Sequence, residues 1–135
     1  MLSHKYIILD RDGVINHDSS AYIKNPQEWR PIKRSLEAIS LLTKNSYRIL
    51  LLSNQAGVSR GIIKYEDLIQ IHNKFILSCL EIGGKIFSTH YCYDHPDTNS
   101  TKRKPQPGMY LEIADRLGIN LSDVFAIGDS PKDMI

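Results

Sequence analysis

The chain has 135 residues, 41% of them hydrophobic and 24% charged. That is one domain's worth of chain, residues 1–135, able to bury a core without disulfides, and its balance excludes disorder. Seventeen Lys and Arg against fifteen Asp and Glu leave +2, too weak a bias for a nucleic-acid or anionic-membrane surface. The longest apolar runs, such as residues 49–52, are too short to span a bilayer. The N-terminal residues carry no signal-peptide pattern, and Cys79 and Cys92 make no disulfide framework. The expectation is a reduced cytoplasmic protein.

Residues 6–9 are a continuous apolar run, which predicts a strand buried on both faces. It stops at Asp10-Arg11-Asp12-Gly13. Pro26 and Pro31 bracket a polar loop in which Trp29 reads as a packing residue. The spacing of Leu36, Ile39 and Leu42 or Thr43 predicts a helix over 35–44. A second buried strand over 48–52 stops at Ser53-Asn54-Gln55, and Gly57 and Gly61 mark a loop. The longest helical pattern, 66–82, turns Leu68, Ile71, Phe75 and Ile76 inward, leaves His72 on its surface, and ends at Gly83-Gly84. Residues 85–92 read as a third strand, 93–107 as a polar loop with three prolines, and 108–117 as a helix capped by Gly118. Residues 124–127 form a fourth strand ending at Gly128-Asp129. This alternation predicts an α/β fold with a mainly parallel sheet and right-handed crossovers. Ligands bind such sheets at the carboxyl ends of the strands.

Four polar clusters fall on that edge: Asp10 and Asp12, Ser53 and Asn54, Arg103 and Lys104, Asp129 and Asp133. Acids converging on one point repel each other and suit a hard divalent cation such as Mg2+. A lysine and a hydroxyl beside them make a phosphate pocket. A carboxylate facing a phosphoryl group can be its nucleophile, and the second Asp can protonate the leaving oxygen and then deprotonate water. Each cluster alone has a plainer reading. Asp10 and Asp12 read as a turn, Ser53-Asn54 as a helix cap, and Lys104 as part of a solvated basic run. Asp129 reads as an Asx turn and Asp133 as a helix N-terminal charge.

Together the clusters resemble the four motifs of the haloacid-dehalogenase phosphatase superfamily. These are Asp10-Arg11-Asp12-Gly13-Val14-Ile15-Asn16, Ser53-Asn54-Gln55-Ala56-Gly57, Arg103-Lys104-Pro105, and Gly128-Asp129-Ser130-Pro131-Lys132-Asp133-Met134. Their order and spacing agree over essentially the whole chain. The first motif, the turn with Arg60-Gly61 behind it, Arg-Lys-Pro-Gln-Pro-Gly-Met, and residues 22–29 are similar to the D-glycero-manno-heptose 1,7-bisphosphate phosphatases. Histidinol-phosphate phosphatases are their near relatives.

The resemblance implies a Rossmann-like domain without a large cap and a Mg2+-dependent phosphomonoesterase working through an aspartyl-phosphate. The implied step is removal of the 7-phosphate in heptose-nucleotide precursor synthesis. It implies Asp10 as nucleophile and metal ligand, and Asp12 as acid/base with its carbonyl on the metal. Ser53 and Lys104 would hold phosphoryl oxygens, Asp129 would complete the metal site, and Asp133 would support it. Asn54, Arg60 and Arg103 are implied contacts for the rest of the substrate. Many such enzymes carry a structural zinc, but here only Cys92 and His95 remain, with Asp94 in a ligand's place, so no zinc is expected. The family continues beyond the fourth motif with a helix, a strand and a final helix, so the expectation is either truncation after that motif or a sheet that stops at four strands. Three alternatives stand beside the heptose substrate: histidinol phosphate, another small phosphomonoester, and an impaired domain that binds phosphate or a partner without turnover. The expected partner is a small phosphorylated sugar or amino alcohol, neither nucleic acid nor membrane, with oligomeric state open.

Overall fold

The computed structural model describes residues 5–19, 21–55, 57–93, 100, 104 and 107–128. The elements run β1 (Lys5–Leu9), α1 (Ser35–Lys44), β2 (Tyr47–Asn54), α2 (Tyr65–Glu81), β3 (Ile86–Cys92), α3 (Gly108–Leu117) and β4 (Phe125–Ile127). Single turns of 3-10 helix lie at Pro26–Glu28 and Leu121–Asp123. The four described strands form one sheet in the order β3-β2-β1-β4, all neighbours parallel. That is the predicted α/β architecture, and each carboxyl end opens on the same edge.

Helices on both faces explain the strands' composition. Ile49, Leu50, Leu51 and Leu52 of β2 are fully buried, as a strand covered on both sides requires. Alternation sends Ile7, Leu9, Ile49 and Leu51 into one core with Ile39, Ile71, Phe75 and Cys79 from α1 and α2. Ile8, Leu50 and Leu52 enter a second core with Met109, Tyr110 and Ile113 of α3.

The segment after β1 is tied down rather than loose. Trp29 is buried in the first core and lies 5.9 Å from Phe75, as a packing residue should. Lys74 Nζ of α2 donates to the carbonyls of Pro26 and Trp29 at 2.6 and 3.0 Å. Ser35 Oγ donates to the Ile15 carbonyl at 2.6 Å, fixing the start of α1 to the turn after β1. A Cβ on Gly57 would come within 2.5 Å of Ile63 and 3.2 Å of Tyr22, so glycine lets the loop after β2 close on this segment.

Two expectations need correction. β2 does not stop at Leu52 but runs on through Ser53 to Asn54. These two residues pair with Tyr91 and Cys92 of β3, because the sheet's backbone bonds continue where the apolar pattern stops. His72 is not a surface residue: it is half-buried, and its Nδ1 is hydrogen-bonded to the Tyr91 hydroxyl at 3.0 Å. β4 lies at an edge of the described sheet with Phe125 74% exposed. Among the described residues no helix is long and apolar enough to cross a membrane.

Candidate active site

The site starts where β1 ends. The Asp10 amide donates to the Ile127 carbonyl at 3.1 Å, so sheet pairing with the β4 side holds through the first acid. The chain then turns back. The Arg11 carbonyl accepts from the amides of Val14, Ile15 and Asn16, and Gly13 donates to the Asn16 carbonyl at 2.7 Å. Gly13 sits at φ +84, a conformation that strains any side chain, so the turn between the acids and Asn16 needs glycine.

Asp10 is buried and faces the α3 side. Its Oδ1 accepts the Arg11 amide at 2.9 Å and lies 3.6 Å from Lys104 Nζ. Lys104 is itself only 3% exposed, so this charge pair is poorly screened by solvent. Its backbone is held by Asn54, whose Nδ2 donates to the Lys104 carbonyl at 3.2 Å and whose Oδ1 accepts the Lys104 amide at 3.1 Å. Both ends of that carboxamide are used, so here Asn54 braces Lys104 instead of reaching outward.

Asp12 is built differently. Its Oδ1 accepts from Arg11 Nε at 2.9 Å and from Asn16 Nδ2 at 3.0 Å, and its Oδ2 accepts from Gln55 Nε2 at 3.1 Å. Burial opposes its charge, but the Arg11 guanidinium and these donors outweigh burial and hold the carboxyl below the usual range. Arg11 is fully buried and stays charged: burial works against it, and Asp12 and then Tyr91 outweigh burial. Its Cζ lies 5.6 Å from the centre of the Tyr91 ring. Burial, followed by the nearby Arg11 charge, pushes His72 below its ordinary value.

Ser53 is buried and accepts from Gln55 Nε2 at 3.0 Å. The structure therefore brings Asp10, Asp12, Ser53, Asn54 and Lys104 to one edge. Arg60 stands apart on the exposed loop after β2, with its guanidinium 6.0 Å over the Tyr22 ring. Arg103, Asp129 and Asp133 lie outside the described residues, as do Asp94 and His95, on which the zinc expectation turned. Sequence reasoning missed Gln55, Asn16, Arg11 and Tyr91. The spacing of Ser53 and Gln55, two apart in extended chain, was the available signal for Gln55.

The donor chemistry fits a hard cation. The Asp10 carboxylate and the Asp12 backbone carbonyl are oxygen donors of the kind such an ion takes.

Known proteins resemble the chain over most of its length. Residues 5–133 match the family described as polynucleotide kinase 3 phosphatase. The chain is 42% identical to a D-glycero-beta-D-manno-heptose-1,7-bisphosphate 7-phosphatase of Bordetella bronchiseptica over 96% of its own length and 73% of the relative's. A like-named enzyme of Pseudomonas putida is 42% identical over 96% of this chain and 74% of its own. The crystal structure of the D,D-heptose 1,7-bisphosphate phosphatase from B. bronchiseptica, complexed with magnesium and phosphate, superposes with a TM-score of 0.94 at 42% identity, covering 96% of this chain and 73% of that one. A putative haloacid-dehalogenase-like phosphatase from Mesorhizobium loti gives 0.88 at 28% identity, covering 97% and 66%. By its motifs, its parallel sheet and these relatives, the chain belongs to the haloacid-dehalogenase phosphatases, within the family described as polynucleotide kinase 3 phosphatase.

Proposed function

We propose that the chain, as one phosphatase domain, removes the 7-phosphate of D-glycero-manno-heptose 1,7-bisphosphate through an aspartyl-phosphate on Asp10. The observation that carries this reading is the buried Asp10 set 3.6 Å from Lys104, with Asp12 held two residues on by three side-chain donors. The names of the 42% identical relatives support the substrate.

Asp10 attacks phosphorus as the bond to the sugar oxygen breaks, and Asp12, in the fraction of molecules whose Asp12 carboxyl has taken up a proton against the pull of Arg11, gives that oxygen its proton. Lys104 and Ser53 take the charge that grows on the phosphoryl oxygens. Asp12, now ionised, accepts a proton from the water that releases phosphate and frees Asp10. Asp10, the Asp12 carbonyl and Asp129 would hold Mg2+, which would supply charge neutralisation at the phosphoryl group. Asp133 supports this end of the site. Arg60 and Arg103 are the basic residues suited to the second phosphate. The working compartment is the cytoplasm, the partner is the small phosphorylated sugar, and no zinc takes part.

The test is phosphate release from heptose 1,7-bisphosphate and histidinol phosphate side by side, with Mg2+ and with EDTA, beside Asp10→Asn. Hydrolysis of the heptose substrate that needs both Mg2+ and Asp10 is the expected result. Preference for histidinol phosphate would move the substrate, and retained phosphate binding without turnover would indicate an impaired domain. A 3′-phosphorylated oligonucleotide belongs in the same assay because of the matched family's description, although a net charge of +2 offers little electrostatic attraction.

A further inference from the structure

Gln55 is 3% exposed and joins the ends of three strands. Its amide donates to the Cys92 carbonyl at the end of β3 at 2.7 Å. Its Nε2 reaches Ser53 Oγ on β2 at 3.0 Å and Asp12 Oδ2 after β1 at 3.1 Å. One carboxamide nitrogen thus spans a phosphate-binding hydroxyl and the acid/base carboxylate. A serine hydroxyl that accepts this bond keeps its own O–H as a donor. A carboxylate pinned at Oδ2 by Gln55 and at Oδ1 by Arg11 and Asn16 has little rotational freedom.

We infer that Gln55 is a positioning residue, fixing the Asp12 carboxyl in register with Ser53 so that proton delivery and phosphoryl binding occur at one place. The inference rests on the reading of Asp12 as the acid/base. In the step concerned, the Asp10–phosphorus bond forms, the phosphorus–oxygen bond of the ester breaks, and the Asp12 proton goes to the departing oxygen. An alkyl ester leaves as a strongly basic alkoxide and needs that proton. An aryl ester such as p-nitrophenyl phosphate leaves as a weakly basic phenolate and hardly does.

The experiment compares kcat/KM on heptose 1,7-bisphosphate and on p-nitrophenyl phosphate for the unaltered chain, Gln55→Leu, Gln55→Met and Asp12→Asn. Because kcat/KM reports steps up to formation of the phosphoryl-enzyme, the shared hydrolysis of that species does not enter. Taking the ratio within each variant cancels any loss of folded protein, and Gln55→Met keeps the side-chain length should Gln55→Leu fold poorly. Both esters lose what runs through Ser53, and only the alkyl ester also loses what runs through Asp12. The expected result is a fall about tenfold larger on the alkyl ester for both Gln55 variants, in the same direction as Asp12→Asn. Equal falls in the Gln55 variants, with Asp12→Asn still selective, would overturn the inference alone. Equal falls in Asp12→Asn would overturn the acid/base reading and the inference with it.

Discussion

On the α3 side of the sheet, Asp10 faces Lys104 at 3.6 Å across a buried gap, and the lysine's backbone is gripped by Asn54. On the α1 and α2 side, Asp12 is held at 3.1 Å or less by Arg11, Asn16 and Gln55, with Tyr91 and His72 packed behind Arg11. The same residue type, two positions apart, thus receives two environments. Strand alternation by itself would put both on one face; the split comes from the turn, in which the Arg11 carbonyl accepts from the Val14, Ile15 and Asn16 amides and the chain leaves the line of β1 at Asp12. A nucleophile needs an opposite charge to steady it and a neighbour for the phosphoryl group. A proton carrier needs a fixed place.

Substitutions on the two sides should therefore give different signatures. Asp10→Asn removes the proposed nucleophile and should cut phosphate release from alkyl and aryl esters alike by at least about 10^4-fold. Asp12→Asn should cost an alkyl ester about 10^2- to 10^4-fold and an aryl ester far less, read as the ratio of kcat/KM values. If both acids gave the same signature, the division would fail.

Phe75→Ala tests the packing beneath the Asp12 side apart from its chemistry. Phe75 is fully buried against Trp29 and His72 beneath the Asp12 side. Its loss should lower stability by about 3–5 kcal/mol in denaturant unfolding, with no change in the alkyl-to-aryl ratio of the folded fraction. Asn54→Ala acts on the Lys104 side alone. Losing two hydrogen bonds to the Lys104 backbone should slow both esters about tenfold in steady-state assays.

The smallest effect concerns Cys79, in the core below the Asp12 side. Burial pushes its thiol up to about 11, so iodoacetamide should leave Cys79 unlabelled at neutral pH in the folded chain and label it once denaturant is added.

Much of this architecture was legible in the sequence. Continuous apolar runs gave β1 and the centre of β2, and helical spacing gave α1 and α2, because each pattern reports local burial, while the Gly118 cap marked the end of α3. The acids, serine and lysine of the site stood out because their charges or hydroxyls interrupt those patterns at strand ends. What stayed hidden were bonds between distant segments. Asn54 meets Lys104 across 50 residues and Gln55 meets Asp12 across 43, and no local period encodes such a pairing. His72 read as surface, yet it lies on the same helical face as Leu68 and Phe75, and Tyr91 of β3 supplies the partner that lets it sit half-buried.

The account's central claim is that Asp10 bonds to phosphorus while Asp12 moves the proton. One measurement reaches both: rapid acid quench with p-nitrophenyl phosphate and Mg2+, followed by peptide mass spectrometry, on the unaltered chain and on Asp12→Asn. The account predicts a phosphoryl group on Asp10, at a higher steady level in Asp12→Asn because its release has lost the base. A phosphoryl group on any other residue, or none in either protein while phosphate is released, would contradict it.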